Sequence, residues 1–230
     1  MMKMIVLVSR KQGMSPDAFH EYWREEHPAV LDAAPADVPP MRKYVQNHTL
    51  SSVYESRDPT IDGVVEVWFD DAQAVDAFFG HEYYEEHVRP DEERFTNHDR
   101  TEFFMAQETA VDTNPVTEEM VKVFVPVARR EGMTPEEFHR HWRGDHLDHI
   151  AGAETWNSSV EHYVQNHAIN EFAAADVAYD GLAELWFSTP DALAEWLDER
   201  GTTGIMGPES ERFIDTDRLG HVPTTHEVVI

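Results

Sequence analysis

The stretch FHEYWREEH at Phe19–His27 recurs as FHRHWRGDH at Phe138–His146, so the chain carries one Phe-His-x-x-Trp-Arg-x-x-His frame twice. Downstream of each frame, the stretch YVQNH at Tyr44–His48 returns unchanged at Tyr163–His167. Both pairs are separated by 119 residues. Self-similarity at a fixed spacing is the signature of a repeated structural unit. The sequence therefore predicts two copies of one fold.

The alignment extends through most of the chain and predicts the domain boundaries. After a one-residue slip, DGVVEVWF aligns with DGLAELWF at an offset of 118, and ERF recurs further on at the same offset. The Asn-Pro pair in VDTNPVT is typical of a linker. We predict the first repeat at residues 1–110, a linker at 111–117 and the second repeat at 118–230.

Each repeat shows the pattern of a βαββαβ unit. Ser15 and Thr134 each precede a proline, which favours an N-cap followed by the first helical residue, and Glu137 completes a capping box with Thr134. The predicted strands of the two repeats are 4–9 and 121–128, 41–49 and 161–169, 63–69 and 181–187, and 101–107 and about 221–229. An α+β unit of this order is ferredoxin-like. It leaves one sheet face uncovered, so two repeats could bury both faces by closing on each other.

The composition excludes several classes of partner. There are 45 acidic residues against 18 basic ones, a net charge of −27, which disfavours nucleic acid and anionic membranes. We interpret the charge as an acidic surface adapted to a halophilic cytosol, because molar salt shortens the screening length to about 3 Å. The absence of Cys excludes disulfides and thiolate metal sites. We expect a cytoplasmic protein without a membrane span.

Strand alternation suggests which side chains share a sheet face. We predict that Tyr44, Gln46 and His48 lie with Glu66 and Trp68 on the face away from the helices. The second repeat offers the matching set, Tyr163, Gln165, His167, Glu184 and Trp186. A buried mixture of rings and titratable groups is typical of a small-molecule pocket.

Structural roles for the same residues stay open. Glu66 could be a core carboxylate bonded to Tyr44 or Gln46, and His48 could be an exposed residue at a strand end. His27 and His146 could be cations that stabilise the ends of helices.

The ordered blocks GMSPDAFHEYWREEH, YVQNH, DGVVEVWF and ERFTNHD resemble the EthD family of the dimeric α+β barrel superfamily. The second repeat carries the same blocks in the same order. The resemblance covers nearly all of both halves and implies that the two ferredoxin-like repeats form a dimeric α+β barrel within one chain. Typical relatives are single units that pair as homodimers, so this chain departs from them by fusing two units.

The resemblance implies small-molecule chemistry but leaves the reaction open. Relatives include isomerases, cyclases, decarboxylases and cofactor-free monooxygenases, several of which use a histidine as acid and base. We expect cofactor-independent acid/base chemistry on a hydrophobic or aromatic metabolite. An oxidoreductase or monooxygenase, or a binding protein without catalysis, is the alternative. The expected catalytic residues are His27, His146, His48, His167, Glu66 and Glu184. The expected substrate-binding residues are Tyr44, Tyr163, Trp23, Trp142, Trp68, Trp186, Gln46 and Gln165.

We expect no cofactor, neither haem nor a metal ion. No nucleotide-binding glycine motif is present. His139 and His146 are seven residues apart, too far along a helix to share one ion. His146 and His149 are three residues apart and Asp145 precedes His149 by four, so a helical ligand pair stays possible there. The predicted partner is a small molecule, and the chain is expected to be a monomeric pseudo-dimer or a dimer of such chains.

Overall fold

A computed structural model describes residues 1–112, 114–117, 119–152, 160–169, 179–200, 209–218, 222–224 and 227–228. Parts of the predicted linker and of the predicted last strand, residues 113, 221, 225, 226 and 229, lie outside this description. The chain forms two compact units. Unit 1 comprises Met1–Met105 with Thr225–Ile230, and unit 2 comprises Ala106–Thr224. The bounds of the two compact units differ from those of the predicted repeats. The domain boundaries predicted from the repeats therefore stay a prediction.

Unit 1 contains a mainly antiparallel sheet with helices packed on it. Its strand order is β4–β1–β3–β2–β9, and β3 pairs with both β1 and β2. A π-helical turn at Tyr84–Val88 leads into the last helix. The elements are β1 (Met2–Val8), α1 (Pro16–Glu25), α2 (His27–Asp32), β2 (Lys43–His48), α3 (Ser51–Ser56), β3 (Gly63–Phe69), α4 (Ala72–Phe79), α5 (Arg89–Phe95), β4 (Glu102–Ala110) and, from the chain end, β9 (Glu227–Val228).

Unit 2 repeats this plan. Its strand order is β8–β5–β7–β6–β4, in which residues Ala106–Ala110 of β4 pair with β6. The elements are β5 (Val121–Val127), α6 (Pro135–Arg143), α7 (Asp145–Ala151), β6 (His162–Ala168), β7 (Gly181–Phe187), α8 (Pro190–Arg200) and β8 (Val222–Thr224). The predicted class, α+β with two ferredoxin-like repeats, is confirmed. No helix in the described part of the chain is long and apolar enough to cross a bilayer.

The first helix of each unit begins where its sequence predicts. The Ser15 hydroxyl accepts a hydrogen bond from the amide of Ala18 at 3.2 Å. Thr134 and Glu137 exchange two hydrogen bonds of 3.2 and 2.9 Å, which completes the predicted capping box. These caps satisfy amides that have no partner inside the helix. They fix where the helix that carries the Phe-His-x-x-Trp frame begins.

The strand register corrects the predicted sheet faces. Tyr44, Gln46 and His48 lie opposite Val67, Val65 and Gly63, and directly opposed residues share a face. The first three residues therefore lie on the helix-covered face, whereas Glu66 and Trp68 lie on the other face. In unit 2, Tyr163 and Gln165 lie opposite Leu185 and Ala183, so the same correction applies to the second set. The prediction failed because alternation within each strand does not fix the register between strands.

A glycine in β3 lets the first helix approach the sheet closely. A Cβ on Gly63 would stand 2.4 Å from Cζ3 of Trp23 and 2.9 Å from the carbonyl oxygen of Asn47. A Cβ on Gly181 would stand 2.5 Å from Cζ3 of Trp142 and 2.5 Å from the Asn166 carbonyl. Contacts below 3.0 Å require movement, and a strand carbonyl cannot move freely. Only glycine therefore fits beneath each tryptophan.

We expect Gly63→Ala and Gly181→Ala each to lower the free energy of unfolding by about 1–3 kcal/mol, because the added methyl overpacks the core. Gly152→Ala is the matched control, since its Cβ would meet its nearest atom at an ordinary 3.6 Å. Denaturant unfolding of the three variants tests this. Equal stability of all three would contradict the close approach.

Candidate functional site

The helix-covered side of unit 1 holds a hydrogen-bonded aromatic cluster. The indole Nε1 of Trp23 donates to the Tyr44 hydroxyl at 3.2 Å. The amide Nε2 of Gln46 donates to the Trp23 carbonyl at 2.8 Å. The ring of His48 lies tilted against that of Trp23, with centroids 4.4 Å apart. All four residues are at most 4% exposed, so this cluster is part of the packed interior.

Unit 2 reproduces the cluster almost atom for atom. Trp142 Nε1 donates to the Tyr163 hydroxyl at 3.0 Å, and Gln165 Nε2 donates to the Trp142 carbonyl at 2.9 Å. The His167 ring lies 4.5 Å from that of Trp142. Tryptophan, tyrosine and glutamine thus hold each other in place in both units, which is the structural role that the sequence left open.

The buried histidines of β2 and β6 are neutral. Burial lowers the pKa of His48 and of His167 to about 2. His48 is 2% exposed and not an exposed strand-end residue, so that alternative is wrong. Because Gln46 uses its Nε2 on Trp23, its Oε1 accepts from His48 Nε2 at 3.0 Å. The remaining lone pair on His48 Nδ1 therefore accepts from His20 Nδ1 at 2.9 Å.

A second arrangement in unit 1 joins a histidine to a carboxylate. His27 is the first residue of α2, 3% exposed, and its Nδ1 lies 2.8 Å from Asp91 Oδ2. The Tyr22 hydroxyl donates to the other oxygen of Asp91 at 2.5 Å. Burial alone would raise the pKa of Asp91, but the hydrogen bonds from His27 and Tyr22 outweigh it and lower that pKa. The carboxylate is therefore charged and holds the His27 proton on Nδ1.

The matching arrangement in unit 2 has two imidazoles on one carboxylate. His146 Nδ1 lies 2.8 Å from Glu209 Oε2, and His141 Nε2 lies 2.8 Å from Glu209 Oε1. The pKa of Glu209 is lowered because these two hydrogen bonds outweigh its burial. Asp145, which the sequence offered as a possible ligand partner of His149, instead pairs with His141 at 3.1 Å. We call His27–Asp91 and His146–Glu209 the two dyads.

Neither dyad histidine ends a helix, so the reading as cations at helix C-termini is wrong. Asp91 and Glu209 were missed by the sequence analysis. Both stand next to the recurring ERF block at an offset of 118, so their alignment was the available signal. Asp91 aligns with Glu209, so the carboxylate is kept in both units while the side chain that carries it differs in length. Nε2 of His27 and Nε2 of His146 have no hydrogen-bonding partner among the described residues.

The opposite sheet face of unit 1 carries a buried ion pair. Lys3 Nζ lies 2.6 Å from Glu66 Oε1, and both side chains are nearly inaccessible at 1% and 2% exposure. Asn47 Nδ2 donates to Glu66 Oε2 at 2.9 Å. Lys3 Nζ also stands 4.8 Å from the ring centroid of Trp68. Glu66 is therefore satisfied by Lys3 and Asn47 and not, as one reading had it, by Tyr44 or Gln46.

Unit 2 carries the same ion pair. Lys122 Nζ lies 3.1 Å from Glu184 Oε2, and Asn166 Nδ2 donates to Glu184 Oε1 at 2.7 Å. Lys122 Nζ is 4.4 Å from the Trp186 ring. Lys3 and Lys122 were not predicted as site residues, although they are two of only four lysines and align at the 119-residue offset.

The predicted site residues therefore form separate groups in each unit. Glu66 and Trp68, with Glu184 and Trp186, lie on the sheet face away from the helices. The tryptophan, tyrosine, glutamine and strand-histidine set lies beneath the first helix, beside the dyads. The rings of His27 and Tyr44 connect these last two groups, with centroids 6.2 Å apart.

The EthD domain model matches residues 11–99 and 130–217, one match in each repeat. The chain belongs to the EthD domain family. A comparison with curated proteins gives no match.

Solved structures match over nearly the whole chain. An anthrone oxidase-like protein is 7% identical with a TM-score of 0.68, covering 99% of this chain and 92% of that chain. A candidate monooxygenase from Lactobacillus acidophilus is 10% identical with a TM-score of 0.53, covering 99% and 94%. A chlorite dismutase from Candidatus Nitrospira defluvii is 9% identical with a TM-score of 0.51, covering 99% and 91%. These likenesses confirm the predicted dimeric α+β barrel fold and no more than the fold.

The expectation of a protein without cofactor is contradicted by these neighbours. Chlorite dismutases, which are haem-dependent, share the fold.

The buried neutral histidines predict a pH dependence of stability. The unfolded chain protonates histidine near pH 6.5, whereas His48 and His167 in the fold resist protonation to about pH 2. Between these values the unfolded state binds more protons, so the free energy of unfolding falls as pH falls. Each histidine contributes a slope of up to about 1.4 kcal/mol per pH unit.

Denaturant unfolding between pH 7 and 4 checks this slope, and the double variant His48→Gln, His167→Gln should flatten it. Histidine NMR titration is the independent measurement. A midpoint near pH 6.5 for either residue would contradict the neutral assignment.

Because the Lys3–Glu66 ion pair is buried, we expect the loss of one partner to lower the free energy of unfolding strongly. Lys3→Met should lower the free energy of unfolding by about 3–5 kcal/mol, because it leaves the Glu66 charge buried without its lysine. The double variant Lys3→Met, Glu66→Met should recover part of this loss. Lys43→Met is the control, since Lys43 also approaches Trp68 but is an exposed residue. A Lys3→Met protein as stable as the Lys43→Met protein would contradict this account.

Proposed function

We propose that this EthD protein is an oxidoreductase that acts on a small hydrophobic or aromatic molecule through the two dyads. One observation carries the proposal. Each unit holds a histidine whose Nδ1 is bonded to a charged carboxylate and whose Nε2 has no partner among the described residues. That nitrogen is available to a substrate or to a cofactor.

The carboxylate gives the dyad its chemical capacity. Asp91 accepts the Nδ1 proton of His27, which fixes the tautomer with a lone pair on Nε2. A lone pair so held can take a proton from a substrate, and the carboxylate then stabilises the imidazolium. Tyr22 holds Asp91 from its other side, so the carboxylate cannot rotate away without losing a 2.5 Å hydrogen bond.

Oxidoreductase chemistry is favoured over the isomerase, cyclase or decarboxylase chemistry expected first. The structural neighbours include a candidate monooxygenase and an anthrone oxidase-like protein. Their identities are low, so they support the class of reaction without naming the substrate. A cytoplasmic location, adaptation to high salt and a further pairing of chains stay predictions.

Anthrone is a suitable test compound, because its acidic CH₂ group becomes a carbonyl on oxidation. One dioxygen supplies one oxygen atom to the new carbonyl and one to water, so anthrone and dioxygen give anthraquinone and water. The full chain, with and without added haem, should consume dioxygen and form the quinone. The double variant His27→Ala, His146→Ala should lose at least about 100-fold in rate, the usual contribution of a positioned acid/base group.

His87→Ala is the control, because His87 is exposed and belongs to neither dyad. The single variants His27→Ala and His146→Ala report which unit is active. A double variant that keeps the wild-type rate would overturn the role of the dyads. A protein that binds anthrone without consuming dioxygen, with or without haem, would be a binding protein and not an oxidoreductase.

A further inference from the structure

The hydroxyl of Tyr44 in unit 1 accepts a hydrogen bond but donates none. Its oxygen accepts from Nε1 of Trp23 at 3.2 Å. The proton of the phenol itself has no acceptor among the described residues. Tyr44, Trp23 and the dyad residues His27 and Asp91 all lie within residues 1–112, a stretch that the structure describes without a gap. Tyr44 therefore keeps one hydrogen-bond donor for a ligand.

The phenol of Tyr44 is protonated at neutral pH. Burial raises its pKa, and the hydrogen bonds of its oxygen with Trp23 and Gln46 do not offset this effect. A neutral phenol whose oxygen already accepts hydrogen bonds acts toward a further group as a donor. A buried donor without an acceptor is costly, and a ligand oxygen would remove that cost.

The proton acceptor of the unit 1 dyad lies beside this donor. The ring centroids of His27 and Tyr44 are 6.2 Å apart, and no hydrogen bond joins the two side chains. Because Nδ1 of His27 gives its proton to Asp91, Nε2 carries the lone pair. Nε2 of His27 is not among the fully buried side-chain atoms that lack a partner in the described residues, so it keeps some surface accessible to water. One donor and one acceptor thus stand next to each other without bonding.

We propose that unit 1 binds a ring ketone that can lose a proton to form an enolate, with the ketone oxygen on the Tyr44 hydroxyl and the acidic C–H group facing Nε2 of His27. This substrate class rests on the oxidoreductase function proposed above and belongs to the same site. The phenol that is the tautomer of such a ketone fits the same two groups. Its single proton goes to His27, and its oxygen accepts from Tyr44.

Proton transfer at this site places negative charge where Tyr44 can stabilise it. Nε2 of His27 takes the proton from the C–H group, and the Asp91 carboxylate stabilises the imidazolium. The electron pair of the broken C–H bond forms the enolate, whose charge lies on the former ketone oxygen. The Tyr44 hydroxyl donates to this oxyanion and keeps its own proton. A donor held in place before the charge develops lowers the barrier. Anthrone belongs to this class of ketone.

The first test measures the binding of 2-naphthol and of naphthalene, which share a ring system and differ in the hydroxyl. Calorimetry uses the full-length His146→Ala chain, so that the unit 2 dyad offers no second acceptor. Tyr44→Phe should weaken the binding of 2-naphthol at least about tenfold and leave that of naphthalene unchanged. Tyr54→Phe is the matched control, because its hydroxyl bonds to His20 and Asp62 instead of lying beside the dyad, so it should affect neither probe.

A second measurement needs no variant. In the full-length wild-type chain, the ¹⁵N resonance of His27 Nε2 should shift with 2-naphthol and stay in place with naphthalene. Equal losses for the two probes in a folded Tyr44→Phe protein, an effect of Tyr54→Phe as large as that of Tyr44→Phe, or an unshifted His27 resonance would each overturn the proposal.

Hydrogen exchange separates this proposal from the oxidation. Under nitrogen in D₂O, the wild-type chain should exchange the CH₂ protons of anthrone faster than buffer does, as followed by NMR. Tyr44→Phe should slow this exchange at least about tenfold, because the oxyanion loses its donor. Exchange without consumption of dioxygen in air would support this substrate class and overturn the oxidoreductase function. Exchange as fast in Tyr44→Phe as in the wild type would overturn the role of Tyr44.

Discussion

The contact of Trp23 with Gly63 organises the helix-covered side of unit 1. The indole fits against the strand because the strand has no side chain at that point. Its Nε1 then reaches the Tyr44 hydroxyl, and its backbone carbonyl receives the Gln46 amide. The orientation of that amide decides which nitrogen of His48 carries the proton. One steric constraint thereby sets a hydrogen-bond sequence that runs from the core to His20.

The two faces of each sheet carry different kinds of buried polar group. On the helix side, neutral rings donate and accept single hydrogen bonds, and burial keeps the strand histidine uncharged. On the other side, a lysine and a glutamate are buried as a charged pair, and a buried charge is tolerated only when it is paired and hydrogen-bonded. Asn47 supplies one such bond to Glu66, and the Trp68 ring lies against the Lys3 ammonium. The strand histidine is therefore neutral and the lysine and glutamate are charged, although all three are buried, because their hydrogen-bonding and ionic partners differ.

Much of the fold could be predicted from the sequence, and the site could be predicted only in part. The repeat was predictable because whole blocks of sequence recur. The N-caps and β3 were predictable because they depend on residues that are neighbours in the sequence. The sharing of faces was not, because it depends on the register of β2 against β3, and a slip of one residue reverses it. Gly63 was visible in the sequence as part of DGVVEVWF, but its role depends on how closely Trp23 approaches. Asp91 and Glu209 meet their histidines only after the chain returns from more than 60 residues away.

Some contacts are common to the two units of the chain, and others differ between them. The Trp-Tyr-Gln-His cluster and the Lys-Glu-Asn group recur in both units. The hydrogen bonds of tryptophan with tyrosine and with glutamine agree within 0.2 Å, at 3.2 and 3.0 Å and at 2.8 and 2.9 Å. The differences concentrate around the histidines of the first helix. Tyr22, a neutral donor to Asp91, is replaced by His141, which can also carry charge, on Glu209. Asp91 is also ion-paired with Arg94 at 3.6 Å, whereas Glu209 lies between two imidazoles. The same backbone thus presents two chemically different histidines, which a homodimer of identical subunits cannot do.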